Sequence, residues 1–293
     1  MKLVRFQAVE GPAQAGVLRD DRVLSLGSLG FHSVKEVLEA GESGLSDVRT
    51  LLEAASPGSD TAMSGVRLLA PLADAGKLIF IGLNYKDHAE EVGAPLPGVP
   101  TVFAKFPSAI LNPDEAILIP KESGKPDYEA EFAFVIGKRG KRIAAADWRE
   151  HVAGYTIIND VSARDLQMAT SQWMMGKTCD TFCPMGPYLV TADEIADRHA
   201  LRMELLLNGE PMQDSNTREM IFKIPELIAH LSAAMTLEAG DVVSTGTPAG
   251  VGISKKPPRW LRPGDECVVR VEGLGELRNA VAMEPYRRIV TKP

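Results

Sequence analysis

The segment EAEFAFVIG (129–137) sets two carboxylates two positions apart in a run that otherwise reads as a strand. Side chains alternate along a strand, so Glu129 and Glu131 share a face with Ala133 and Val135, about 7 Å from each other. Like charges so close repel, and a divalent cation is the usual compensation because hard cations take carboxylate oxygens. The plainer alternative is the solvated face of an edge strand, and the Glu-x-Glu pattern alone favours it. A third acid changes the balance. YTIINDVSARD (155–165) runs from β-branched residues into a polar turn and leaves Asp160 at a strand end, where functional side chains concentrate. Glu129, Glu131 and Asp160 together form an oxygen-only site suited to Mg²⁺ or Mn²⁺; zinc is disfavoured because no Cys or His clusters with them. Read alone, Asp160 serves equally well as the N-cap of a helix over VSARDLQMA.

Proton chemistry is offered by GLNYKDHAEE (82–91), where His88 and Glu91 stand three apart. On a helical turn they share a face, and the carboxylate can orient and polarise the imidazole as a general base. A solvated histidine beside an acidic helix is the plainer reading, and spacing alone favours that one. The proline-rich EVGAPLPGVPTVFAKFPS that follows is long enough to close over a site as a lid at about 86–104. In SQWMMGKTCDTFCPMGP the triplet Gly176, Lys177, Thr178 resembles the end of a phosphate loop. The first glycine such a loop needs is Ser171, and Trp173, Met174 and Met175 are too bulky for backbone amides to converge, so a nucleotide site is rejected. Lys177 is then either a surface lysine or a cation aimed at a developing oxyanion. Cys179 and Cys183 lack a partner pair of metal ligands. STGTPAGVGISKKPP (244–258) has the small residues that let backbone approach a ligand, or is a plain loop, and GKRGKR (137–142) reads as a solvated basic turn.

Short β-rich runs must position these residues. From Lys77 onward KLIFIGL, AILIP, EAEFAFVIG, YTIIND, YLVTAD, LRMELLLNG, DVVSTGT and ECVVRVEG alternate with Gly, Pro and Asp turns and few helices. That texture predicts a largely antiparallel or mixed β core, not a doubly wound parallel sheet. Ahead of it, 2–9 and 15–26 read as strands meeting at a Gly/Pro turn, SVKEVLEA (33–40) and SDVRTLLEAA (46–55) as helices behind Ser caps, and SPGSDTAMSG (56–65) as a linker. The predicted division is a small α+β N-terminal domain over 1–70 and a larger, mainly β domain over 71–293.

Composition narrows the partners. In 293 residues, 32 Lys+Arg meet 39 Asp+Glu, a net charge of −7 that argues against nucleic acid, which demands a cationic face. A 45% hydrophobic, 24% charged chain belongs with folded domains, not disordered ones. Three cysteines, an odd count, argue against a disulfide framework and for a reducing compartment. No stretch reaches the roughly 18 apolar residues of a membrane helix, and the start shows no signal-peptide run. The expectation is a cytoplasmic protein with no membrane or nucleic-acid partner.

Taken in order, GLNYKDHAEE, DYEAEF, INDVSARDLQ, GKTCDTFCPMGP and TGTPAGVG resemble the fumarylacetoacetate hydrolase superfamily over roughly 70–285, and the ordered set is far more specific than any one member. The GKTCDTFCPMGP and SNTREMIF tracts look most like the branch holding fumarylacetoacetate hydrolase domain-containing protein 2 and the acylpyruvate hydrolases. The resemblance implies a mixed β-roll catalytic domain behind a small N-terminal domain, a homodimer, and Mg²⁺ or Mn²⁺. It implies that Glu129, Glu131 and Asp160 are metal ligands, His88 and Glu91 a water-activating dyad, and Lys177 an oxyanion-stabilising lysine. By the same likeness Lys105, Arg164, Gln167 and Thr247 contact carboxylate or carbonyl oxygens of a small anionic oxo-acid substrate. One departure stands out: the founding enzyme's fourth metal carboxylate has no equivalent in IFIGLNYKDH, which leaves more of the metal open.

The leading expectation is a divalent-metal-dependent hydrolase of 2,4-dioxo acids of the acylpyruvate type, cleaving a carbon–carbon bond through a metal-stabilised enolate. The same site suits an oxaloacetate enol–keto tautomerase or decarboxylase, the alternative. A non-catalytic metal-binding protein is the third possibility, weakened by the complete dyad.

Overall fold

The computed structural model describes residues 1–8, 11–55 and 60–285. Among them the backbone is mainly β with α: a large mixed-sheet region preceded by an N-terminal β/α segment. The main sheet runs, in spatial order, through Thr61–Ala62, Arg22–Ser25, Ala13–Arg19, Lys2–Ala8, Cys183–Thr191, Val152–Asn159, Ala130–Ile136, Val242–Ser244, Leu78–Gly82 and Thr101–Lys105. Neighbours on this path are antiparallel except Val242–Ser244 on Leu78–Gly82, which is parallel. A second sheet orders Glu210–Asn216, Arg202–Leu207, Glu266–Val271, Gly275–Met283 and Ile117–Ile119.

Residue parity explains the layering. Along Ala130–Ile136, Phe132 and Phe134 enter a core shared with Met203 and Leu205 of the second sheet and with Ile224, Leu227 and Leu231 of the helix Ile224–Ala234. Ala133 and Val135 point the other way, into a core with Val34, Val37, Leu38 and Val48 of the N-terminal helices. Every residue of this strand is buried, so the expected alternative of a solvated edge strand does not hold. It lies between Val152–Asn159 and Val242–Ser244 as a central strand.

The N-terminal segment departs from expectation in detail. The stretch 15–26 is two strands, because Asp20 takes a left-handed φ of 55° and turns the chain into the pair Val17↔Leu24, Leu18↔Val23. Ser33 caps Val34–Glu39 by accepting from the Glu36 amide at 3.1 Å. Ser46 caps nothing, since the next helix starts at Gly41. Its Gly44 crosses the preceding helix so closely that a Cβ there would lie 2.7 Å from the Val37 carbonyl oxygen. Of the expected linker, residues 56–59, like the end of the first expected strand at Val9, lie outside the described residues; Thr61–Ala62 is a strand paired with Arg22 and Val23. The N-terminal strands join the main sheet through Lys2↔Val190 and Leu3↔Leu189.

Candidate active site

Glu129 immediately precedes the central strand and Glu131 lies on it, while Asp160 follows the neighbouring strand. Two bonds lock that junction: the Asp160 amide donates to the Glu129 carbonyl at 2.8 Å, and the Glu129 amide donates to Asn159 Oδ1 at 3.0 Å. Asp160 is therefore not a helix cap; Ala163 precedes the short helix Arg164–Gln167. One oxygen from each of the three buried carboxylates lies within 4.8 Å of the others.

Four buried acids, Asp127, Glu129, Glu131 and Asp160, meet three buried cations, Lys105, Arg164 and Lys177. Lys177 Nζ sits 2.5 Å from Glu129 Oε2 and 2.6 Å from Asp160 Oδ2. Arg164 donates to Glu129 Oε1 at 2.6 Å, Asp127 Oδ2 at 2.9 Å and Gln167 Oε1 at 3.0 Å. Burial would raise the Glu129 carboxyl, but Arg164 and Lys177 outweigh it and hold the group well below the usual carboxylate range. Glu131 has neutral donors only, Ser244 Oγ at 2.5 Å and the Gly246 amide at 3.1 Å, and burial together with Asp160 and Glu129 pushes its carboxyl well up. Asp160 is also raised, chiefly by burial, against the pull of Lys105 and Lys177. Burial lowers Lys177, but Asp160 and Glu129 more than restore it.

This donor set fits a hard divalent cation. Three convergent carboxylates supply oxygens only, the buried cluster carries one more acid than base, and the Lys177 ammonium already bridges two of the three as a positive stand-in.

His88 and Glu91 lie on the helix Lys86–Glu91, with His88 Nδ1 3.0 Å from Glu91 Oε2; Glu91 Oε1 accepts from the Gly250 amide at 2.8 Å. Both face the same cavity as the triad, about 590 Å³, which Arg164, Gln167, Lys177 and Thr247 also line. Lys105 does not line it. Its ammonium lies behind the triad, 2.5 Å from Asp160 Oδ1, and donates to the carbonyls of Val161, at 2.9 Å, and Phe182. A larger cleft of about 920 Å³ beside the N-terminal helices holds none of these residues, and its charges pair internally as Lys77–Asp241, Lys138–Glu150 and Arg139–Glu238.

Sequence reasoning passed over several residues of the site. Asp127 binds Arg164 and also accepts from the Gly252 and Ile253 amides, at 2.7 and 3.0 Å, so it ties the 250–253 turn to the triad. Trp173, dismissed as filler of a failed phosphate loop, lines the cavity and meets Phe103 edge-on at 5.5 Å. Gly82 lets that ring approach: a Cβ there would be 2.5 Å from it. Lys255 and Lys256 also line the cavity. The expected lid is the helix Lys86–Glu91, a coil over 92–100 and the strand Thr101–Lys105.

Residues 77–282 match the family model described as fumarylacetoacetate (FAA) hydrolase C-terminal. The chain is 50% identical over 220 residues, 74% of its length and 70% of the relative's, to the mitochondrial oxaloacetate tautomerase FAHD2A of Bos taurus. Among solved structures it resembles the fumarylacetoacetate hydrolase of Exiguobacterium antarcticum, with TM-score 0.85, 37% identity and 97% and 100% of the two chains covered. It also resembles the maleylpyruvate hydrolase of Sphingobium sp. SYK-6 in complex with manganese(II) and pyruvate, with TM-score 0.81, 28% identity and the same coverage. Of the expectations, one is narrowed toward its alternative and one is corrected. The relatives' names favour tautomerase over hydrolase as the leading activity, and the expectation of a cytoplasmic protein is overturned, because the Bos taurus, Xenopus laevis, Rattus norvegicus and Homo sapiens relatives are mitochondrial.

Proposed function

This chain belongs to the fumarylacetoacetate hydrolase family, and from that premise we propose that it is a divalent-metal-dependent oxaloacetate enol–keto tautomerase. The observation that carries the reading is one cavity holding both a carboxylate triad fit for a cation and a histidine–glutamate dyad able to move a proton.

Glu129, Glu131 and Asp160 hold Mg²⁺ or Mn²⁺ in this reading. When bound, such a cation supplies Lewis-acid stabilisation of the negative charge that enolisation places on the 2-oxygen of an oxo acid. Glu91 occupies Nδ1 of His88 and so fixes the imidazole; Nε2 is the nitrogen left to carry a proton between C3 of the substrate and solvent. The Gly250 amide holds the other Glu91 oxygen, so the dyad keeps its orientation without a ligand. Lys177 brings an ammonium to the same end of the cavity, where it offsets charge on substrate oxygens. Arg164, Gln167 and Thr247 orient the carboxylate, and Trp173, Phe103 and Met168 limit water in the apolar part of the cavity. Lys105 acts from behind, holding Asp160 in place.

Following the absorbance of enol-oxaloacetate in a stopped-flow cell tests the proposal. The protein with Mg²⁺ accelerates ketonisation above buffer and metal, and His88→Ala reduces the rate roughly 10²–10⁴-fold while the metal-induced thermal shift persists. No acceleration by the wild-type protein overturns it.

A second reading, hydrolysis of acylpyruvates, is supported by the same dyad, which could deprotonate water, and by the likeness to the maleylpyruvate hydrolase. It requires release of pyruvate from an acylpyruvate, and none under the same conditions removes it.

A further inference from the structure

Four Lys and Arg side chains line the candidate cavity: Arg164, Lys177, Lys255 and Lys256. Three have acceptors already. Arg164 serves Asp127, Glu129 and Gln167, Lys177 lies between Glu129 and Asp160, and Lys255 Nζ donates to the Met212 carbonyl at 3.0 Å. Lys256 is exposed and has no acceptor among the described residues.

The backbone that carries Lys256 is held on both sides. Gly252 and Ile253 donate to Asp127, and the amides of Lys255 and Arg259 return to the Gly252 carbonyl at 3.3 and 2.9 Å. No larger residue fits at Gly252, where a Cβ would lie 2.1 Å from the Arg259 carbonyl oxygen and 2.5 Å from Asp127 Oδ1. Pro257 and Pro258 remove further backbone freedom. Asp127 in turn accepts from Arg164, which donates to Glu129. A continuous hydrogen-bonded path therefore references the loop of Lys256 to the carboxylate triad.

We propose that Lys256 is a specificity-determining residue that receives the far carboxylate of a four-carbon dicarboxylic oxo acid whose near carboxylate and 2-oxygen occupy the triad end of the cavity. This deepens the tautomerase reading and rests on it. Recruiting Lys256 breaks no existing ion pair, so a second carboxylate gains a charge-assisted hydrogen bond at little cost. An apolar acyl tail gains nothing from it, so the residue favours the dicarboxylic acid over acylpyruvates with apolar tails by that difference alone.

Calorimetric titration of the Mg²⁺-loaded protein with malate and with lactate tests this, because the two share a 2-hydroxy carboxylate head and differ in the far carboxylate. The wild-type protein binds malate more tightly than lactate. Lys256→Gln weakens malate about tenfold, leaves lactate affinity within about twofold, and Lys256→Arg restores malate binding. Equal weakening of both ligands, no weakening of either, or a wild-type protein that binds malate no better than lactate overturns the proposal. The enol-oxaloacetate assay separates the two failures. Absence of acceleration by wild type defeats the tautomerase reading while the malate–lactate difference still judges Lys256. Acceleration with an unchanged KM in Lys256→Gln defeats the role of Lys256 alone.

Discussion

Glu131 takes hydrogen bonds from Ser244 and the Gly246 amide yet meets no cation among the described residues. A buried carboxylate in that position costs stability until a positive charge arrives. Glu131→Gln keeps the acceptor and removes the charge. In metal-free protein it melts at or above the wild-type temperature, by roughly 2–4 °C for each kcal/mol relieved, while the upward shift on adding Mg²⁺ disappears. A scanning calorimeter reads both. Glu91 behaves in the opposite sense. Burial raises its carboxyl, but the His88 and Gly250 hydrogen bonds win and leave it lowered from 4.5. A group lowered on folding contributes stability that is present above its unfolded pKa and lost as pH falls through the folded value. The melting difference between wild type and Glu91→Gln is therefore full at neutral pH and shrinks below the ordinary carboxylate range. Strand parity made Glu129 and Glu131 legible as neighbours from sequence alone. Asp127 was not, because its partners Arg164, Gly252 and Ile253 are 37, 125 and 126 residues away. Lys105 was read as a substrate contact, and nothing local tells a lysine among buried carbonyls from one lining a cavity.

Short elements hold the site through close backbone approach. The helix Met174–Lys177 packs on Arg164–Gln167 at Gly176, where a Cβ would lie 2.4 Å from the Gln167 amide nitrogen and 2.5 Å from the Ala163 carbonyl oxygen. Both are backbone atoms and cannot step aside cheaply, so Gly176→Ala destabilises the protein by about 1–3 kcal/mol and displaces Lys177. Thermal melts report the first effect, and a raised KM in the assay of the proposed activity reports the second. Helix periodicity revealed Val34–Glu39 with its Ser33 cap, but the next helix starts at Gly41, whose left-handed φ of 65° separates it from the first, and not behind Ser46, which resembled a cap. Gly176 was noticed only as part of a triplet that resembled a phosphate loop; its actual use is to let two helices touch.

At the scale of the molecule, two cores grip the main sheet from opposite sides, and the buried charge cluster sits at the end of its central strands. The run of short β segments after Lys77 made a mixed β architecture legible. The joining of Lys2–Ala8 to Cys183–Thr191 was not, since pairing across about 190 residues leaves no periodic mark. Cation binding to the native state alone couples the site to global stability. At about 100 times its Kd, a divalent ion adds about 2.7 kcal/mol, so chelation lowers Tm by several degrees and readdition restores it, as a melt with and without chelator checks. The central strand has a further consequence during biosynthesis. Ala130–Ile136 is flanked by Val242–Ser244, which leaves the ribosome roughly 5–20 s later at typical elongation rates. For that interval one edge of an apolar strand has no partner, and such edges invite pairing with other nascent chains. The residues left waiting there, Ala133, Phe134 and Val135, are all apolar, so the unfinished sheet is most open to a foreign strand at the point where Val242–Ser244 later closes it.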